Sequence, residues 1–228
     1  MKDYVRPPLL LPFFLLLIIL PFTLLLLIAT PEVFRIVFGV SYERGIELYA
    51  MIILGSLINV PVYEREGKVL VERRYIFGVF YYTVTEIRRV VVAVNLGGCV
   101  LPTILALKLL AEIPKVPWIV VFTICTAIVY FYAKPVPGLG IVVPMFVPPV
   151  ISALTSYIVC TSMSIQPIVV PKIAFSAGVL STLFGADLLH LKDLEKIGSG
   201  VVSIGGAGTF DGIFLTGIFS VIFALLLI

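Results

Sequence analysis

Two acids stand inside apolar sequence. Asp187 lies in Phe184-Gly185-Ala186-Asp187-Leu188-Leu189, and Asp211 in Gly205-Gly206-Ala207-Gly208-Thr209-Phe210-Asp211-Gly212. A charge at the centre of a bilayer costs about 2.5–3.5 kcal/mol on insertion scales, so an intramembrane acid is a functional candidate by default. The two acids end and begin neighbouring apolar segments 24 residues apart, and a helical hairpin of that length brings both to one membrane face. Two chemistries suit such a pair. A desolvated carboxyl exchanges a proton or holds a cation, with Asn95, Ser203 and Thr209 as neutral oxygens. Alternatively, two carboxyls that share one proton activate water for hydrolysis. A structural role competes with both, because an acid at a helix start is favoured by the free amides and the dipole.

Glycines surround these residues. Gly205, Gly206, Gly208 and Gly212 precede or flank Asp211, and Gly208 with Gly212 forms a GxxxG step that admits a close helix neighbour. Asn95-Leu96-Gly97-Gly98-Cys99-Val100-Leu101-Pro102, and the run from Pro135 to Pro149, have the composition of broken helices. Such breaks free backbone groups at membrane depth, where transporters use them to hold ions and solutes. Val94-Asn95-Leu96-Gly97-Gly98 also echoes Val202-Ser203-Ile204-Gly205-Gly206. In the apolar segment at 168–189, Gly178, Ser181, Thr182 and Gly185 share one stripe, and a regular helix puts Asp187 opposite it.

The elements that position these groups follow from composition. Of 228 residues, 61% are hydrophobic and 13% charged, against roughly 45–50% and 25% in soluble domains. A small soluble core cannot use that much apolar side chain; lipid can. The expectation is an all-α polytopic transmembrane helical bundle of six or seven spans, a single integral membrane domain over 1–228. Spans are expected near 8–29, 46–62, 90–111, 117–133, 141–163 and 168–189, with a last one from 201 or 209 to 228. The first is retained rather than cleaved, being too long for a signal h-region. The polar stretch 62–89 is a short loop in which 68–74 and 78–84 are able to pair as a β-hairpin. Its aromatic cluster, Tyr75, Phe77, Phe80, Tyr81 and Tyr82, suits the headgroup region.

With seven spans, connectors on the N-terminal side carry 11 basic residues against 5 on the other. The positive-inside rule then places the N-terminus and loop 63–89 in the cytoplasm of a plasma-membrane protein. The same loop arginines are able to touch anionic lipid.

At the glycine-rich acid the chain resembles a known family. The run Ser203-Ile204-Gly205-Gly206-Ala207-Gly208-Thr209-Phe210-Asp211-Gly212-Ile213-Phe214-Leu215-Thr216-Gly217 looks like the signature of a bacterial and archaeal family of uncharacterised membrane proteins, domain of unknown function 1614. Gly185-Ala186-Asp187-Leu188-Leu189 and Val94-Asn95-Leu96-Gly97-Gly98 fit it too, and the resemblance covers most of the chain after about residue 50. It implies a multi-pass membrane protein and no particular activity. Glycine before a membrane Asp, followed by an apolar helix, is also similar to the presenilin and signal-peptide-peptidase family, which implies Asp187 and Asp211 as a catalytic pair. This chain departs from that family's Gly-x-Gly-Asp by two extra residues before Asp211. It has Ala186-Asp187 in place of Tyr-Asp, and no Pro-Ala-Leu after Asp211.

Other chemistries have less to stand on. Cys99, Cys125 and Cys160 lie in apolar segments without CxxC spacing, and His190 is the single histidine, so neither a metal set nor a His triad is expected. No P-loop is present, and Gly205-Gly206-Ala207-Gly208 belongs to no βαβ unit. No cofactor and no nucleic-acid partner are expected. The partners are the lipid bilayer, a small solute or ion, and a second copy of the chain. The leading expectation is a small-solute or ion (proton or cation) binding or transport site at Asp187 and Asp211. The alternatives are an aspartyl-protease-like hydrolase using the same two acids, or a purely structural or interaction role.

Overall fold

The structure, a computed structural model, describes residues 10–76, 80–136, 140–193, 200–206 and 211–228. Gly208 and Thr209, the side chains of the aromatic cluster and those of the loop arginines lie outside the described residues. Most of the chain is helical, as its composition predicts. Three helices are long and apolar enough to cross a membrane: Ile19–Phe38, Lys115–Tyr132 and Pro167–Asp193. Leu96–Leu109, Val147–Ser162 and Gly212–Leu227 are shorter apolar helices.

Helix α1 (Leu10–Phe38) carries Pro21 and Pro31 within its length and ends at Gly39, whose φ of 66° and N–H to the Arg35 carbonyl make a left-handed cap. Its Leu24 and Ile28 are exposed, while Val33, Phe34 and Val37 are buried, so one helix serves lipid and core in turn. Ser41 caps α2 (Tyr42–Gly55). At 14 residues this helix is about 21 Å long, short of the roughly 30 Å hydrocarbon core. The span expected over 46–62 is therefore corrected: α2 stops at Gly55 and a strand begins at Asn59.

That strand, β1 (Asn59–Ile76), pairs antiparallel with β2 (Phe80–Asn95) in a long hairpin. The expected hairpin is present and much longer than 68–84. A register shift falls between Pro61 and Tyr63, next to the proline that has no N–H for the ladder. The expected span over 90–111 is likewise divided. Val90 to Asn95 is strand, and helix begins with a π-turn at Leu96–Val100 that continues as α3 (Leu101–Leu109). A β-branched apolar run of five residues has no periodicity that separates strand from buried helix, and here the sheet claims it. All-α is thus too simple: the bundle carries a small sheet.

α4 (Lys115–Tyr132) agrees with its expected span. Next comes a small ladder of β3 (Lys134–Val136) and β4 (Gly140–Val142), where a broken helix had been expected. α5 (Val147–Ser162) then starts with Pro148 and Pro149 in its first turn, where the lost N–H is harmless. A 3₁₀ turn at Pro167–Val169 leads into α6 (Val170–Thr182). Every α6 residue except Lys172 is buried, so this helix is the centre of the bundle and not a one-faced stripe. Around it, hydroxyls bridge helices: Ser176 Oγ donates to Ala106 O at 2.8 Å, and Ser152 and Ser220 both donate to Ala174 O. At the far end of α6 the Lys172 ammonium donates to Glu112 at 2.8 Å and holds that carboxyl below its ordinary value.

Beyond α6 the chain forms a π-turn (Leu183–Asp187), a 3₁₀ segment (Leu188–Asp193), strand β5 (Gly200–Ile204) and helix α7 (Gly212–Leu227). β5 pairs parallel with β2, giving the order β1-β2-β5. The earlier start proposed for the last span, at 201, is corrected to strand.

Candidate functional site

Asp187 closes the π-turn. In an α-helix a residue five positions on is rotated about 140° away, which would turn Asp187 from Thr182. The π-turn bonds i to i+5, with Leu188 N–H reaching the Leu183 carbonyl, and Thr182, Ala186 and Asp187 all line one pocket. The regular-helix expectation, Asp187 opposite the small-residue stripe, is overturned by that turn. Gly185 lets this turn pack closely on α4, since a Cβ there would lie 2.8 Å from the Thr126 carbonyl.

Asp211 enters from the other side as the N-cap of α7, its Oδ1 accepting from Ile213 N–H at 2.8 Å. It lines the same pocket, of about 310 Å³, together with Gly212 and Ile213. The opposite wall is Ile141 to Met145 and Pro148, the irregular entry to α5. Asp187 and Asp211 thus line one space. Asp187 takes no hydrogen bond from the described residues.

The other expected site residues form a separate knot. Asn95 is fully buried and caps the π-turn before α3, its Oδ1 accepting from Gly98 N–H at 2.8 Å. Its Nδ2 donates to Ser56 O at 2.8 Å and to Asn59 Oδ1 at 3.0 Å. Ser203 Oγ donates to the same Asn59 oxygen at 2.6 Å. The chain's two asparagines therefore meet across β1 and β2, and β5 is tied to them. Asn95→Ala leaves the Ser56 carbonyl and Gly98 amide without this partner, and is expected to cost about 2–3 kcal/mol in chemical unfolding of the detergent-solubilised chain. Unchanged stability would remove the knot from the account. Asn59 was not picked out from sequence; its rarity was the available signal, since only one other asparagine exists to pair with it.

The echoed segments prove to be neighbours. Val92, Ala93 and Val94 pair with Val202, Ser203 and Ile204, so the two glycine-ended runs lie side by side, offset by two residues. Gly205 has a φ of 73°, and a Cβ there would sit 2.6 Å from Cys99 N. Gly206 closes a turn onto Ser203 O. Gly212 has open space where its Cβ would be, whereas Gly217 meets Val179 and Phe175. The helix contact expected at Gly212 is made one and a half turns later.

His190 is buried: its Nδ1–H donates to Gly185 O at 3.0 Å, and its ring centroid lies 4.7 Å from that of Tyr130. The three cysteines are free and buried, with no cluster of three metal-ligating side chains among the described residues.

A family model described as a protein of unknown function, DUF1614, matches residues 53–223. The chain belongs to this family. The DUF1614 match takes in the hairpin, the asparagine knot and both acids, and leaves out α1 and most of α2. No curated protein and no solved structure matches the chain.

Proposed function

We propose that Asp187 and Asp211 are the catalytic pair of an intramembrane aspartyl hydrolase that cuts an amide bond in a membrane-inserted peptide. The observation that carries this is one pocket lined by two acids from separate segments of the chain. In the proposed cycle the ionised carboxyl takes a proton from water as the water oxygen bonds to the peptide carbonyl carbon. The protonated carboxyl gives its proton to the carbonyl oxygen. Collapse of the tetrahedral species then breaks the C–N bond: the amine leaves with a proton from the pair, and one hydroxyl of the diol returns its proton to the pair as the new carboxyl C=O forms. The position of the pocket supports this reading. Asp187 lies near the end of its apolar segment and Asp211 at the start of α7, where water and a helix end are both within reach.

The resemblance to presenilin-type proteases is partial, and Pro144 and Met145 face the acids where no Pro-Ala-Leu is available. The test is direct: full-length chain in vesicles with a transmembrane peptide, read by mass spectrometry. The expected result is cleavage near one end of the peptide, blocked by a hydroxyl-bearing transition-state analogue.

A second reading is a proton-exchanging site in a carrier, favoured by hydroxyls that descend from the pocket into the bundle. Thr182 Oγ1 donates to Thr216 Oγ1 at 3.2 Å, with Ser220 one turn further along α7. Proton flux without cleavage would select this reading. A cation site has less support. Among the described residues the pocket offers Asp187, Asp211 and Thr182 as side-chain oxygens, fewer than the six to eight that calcium takes. Asn95 and Ser203 are committed to their own knot.

In this reading the chain is a plasma-membrane protein whose seven helices alternate in direction. The hairpin, the β3–β4 turn and the acid pocket then share the N-terminal side, which the excess of basic residues assigns to the cytoplasm. A Glu64→Cys variant is expected to react with impermeant maleimide only after cell lysis; labelling of intact cells would reverse the orientation.

A further inference from the structure

A second cavity lies on the sheet side of the acids, between the sheet face and the 3₁₀ segment, and has a volume of about 420 Å³. Buried Val92 and Ile204 contribute from the sheet; Val94, Leu188 and Leu191 add further apolar lining, together with Lys192. The volume falls within the roughly 300–1,000 Å³ of small-molecule sites. The Lys192 ammonium is held 5.8 Å from the Tyr130 ring centroid, an aromatic anchor for the cation. Tyr130 in turn lies against the His190 ring, tilted 32° to it. Val62 and Tyr63, also in the lining, are 59% and 55% exposed, so the cavity opens on an apolar surface.

We infer that this cavity binds one acyl chain of an anionic phospholipid, with the headgroup at Lys192. An apolar slot with a single cation beside it matches an amphiphile with one apolar arm and a negative head. In a protein with membrane-crossing helices, bilayer lipid is the source of that chemistry closest at hand. The site is independent of the hydrolase reading and touches it at two points. Leu188 follows Asp187 directly, and Ile204 ends the strand that leads to Asp211. A bound chain therefore lies against both segments that carry the acids.

The test is native mass spectrometry of the full-length chain released from nanodiscs of phosphatidylcholine doped with phosphatidylglycerol. The expected result is one retained phosphatidylglycerol, preferred over phosphatidylcholine by about fivefold, the weight of one lysine near a charged headgroup. Lys192→Gln is expected to abolish the preference while a lipid is still retained. Leu191→Trp fills the slot from a partly exposed position, and retention is expected to fall at least about tenfold. Val62→Trp, placed at a more exposed position, repeats that test should the Leu191 variant fail to fold. Wild-type chain without headgroup preference, or filled variants that retain lipid as before, would overturn the inference. Retention of a fatty acid in place of phosphatidylglycerol would overturn the phospholipid assignment.

Discussion

Asp187→Asn is expected to lower peptide cleavage by about 10²–10⁴-fold, the usual contribution of a positioned acid or base, while the chain still inserts and folds. No hydrogen bond from the described residues ends on that carboxyl, so the amide is isosteric and breaks no described contact. Asp211 needs a finer comparison, because it also caps α7 through Ile213 N–H. Asparagine caps a helix about as well as aspartate, whereas alanine costs about 1 kcal/mol. Asp211→Asn is therefore expected to match Asp187→Asn in lost activity and wild type in thermal stability. Asp211→Ala loses both. Cleavage that survives in Asp211→Asn and fails only in Asp211→Ala would reduce this acid to a helix cap and sink the two-carboxylate mechanism.

The second large effect is structural. A Cβ added at Gly97 would lie 2.0 Å from Ile52 O and 2.3 Å from Ser56 N. Both are backbone atoms at the end of α2, so no side chain is able to swing aside. Gly97→Ala is expected to cost about 3 kcal/mol and to lower the melting temperature by roughly 10 °C. Gly212→Ala has nothing within 4 Å of the new methyl and is expected to melt within about 1 °C of wild type. Equal melting temperatures for the two variants would mean that α2 does not dock on the turn before α3.

Hydropathy was informative where a helix is long and wholly apolar, as for α4, expected over 117–133 and found at Lys115–Tyr132. It failed at Val90–Asn95 and Gly200–Ile204, because a short β-branched run buries equally well in a sheet or in a helix. The hairpin was visible as a polar stretch between apolar segments, but its true length was hidden where β2 becomes apolar near the bundle. The acids were legible as a pair, since intramembrane charge stands out against apolar neighbours. Their shared pocket was not, because it depends on a π-turn that no residue pattern announces. Asn95 and Ser203 were legible as polar residues and misplaced in space: their partner, Asn59, comes from the far strand of the hairpin.

The parallel pairing of β2 with β5 bears on biogenesis. Val90 pairs with Gly200 and Val94 with Ile204, so everything from α3 to α6 is a single crossover between adjacent strands. Contacts of such sequence separation form late, because the intervening chain must be placed first. β2 is complete before β5 exists, so its edge waits for a partner while α3, α4, α5 and α6 are made. A chain truncated before β5 is therefore expected to leave this edge of β2 unpaired.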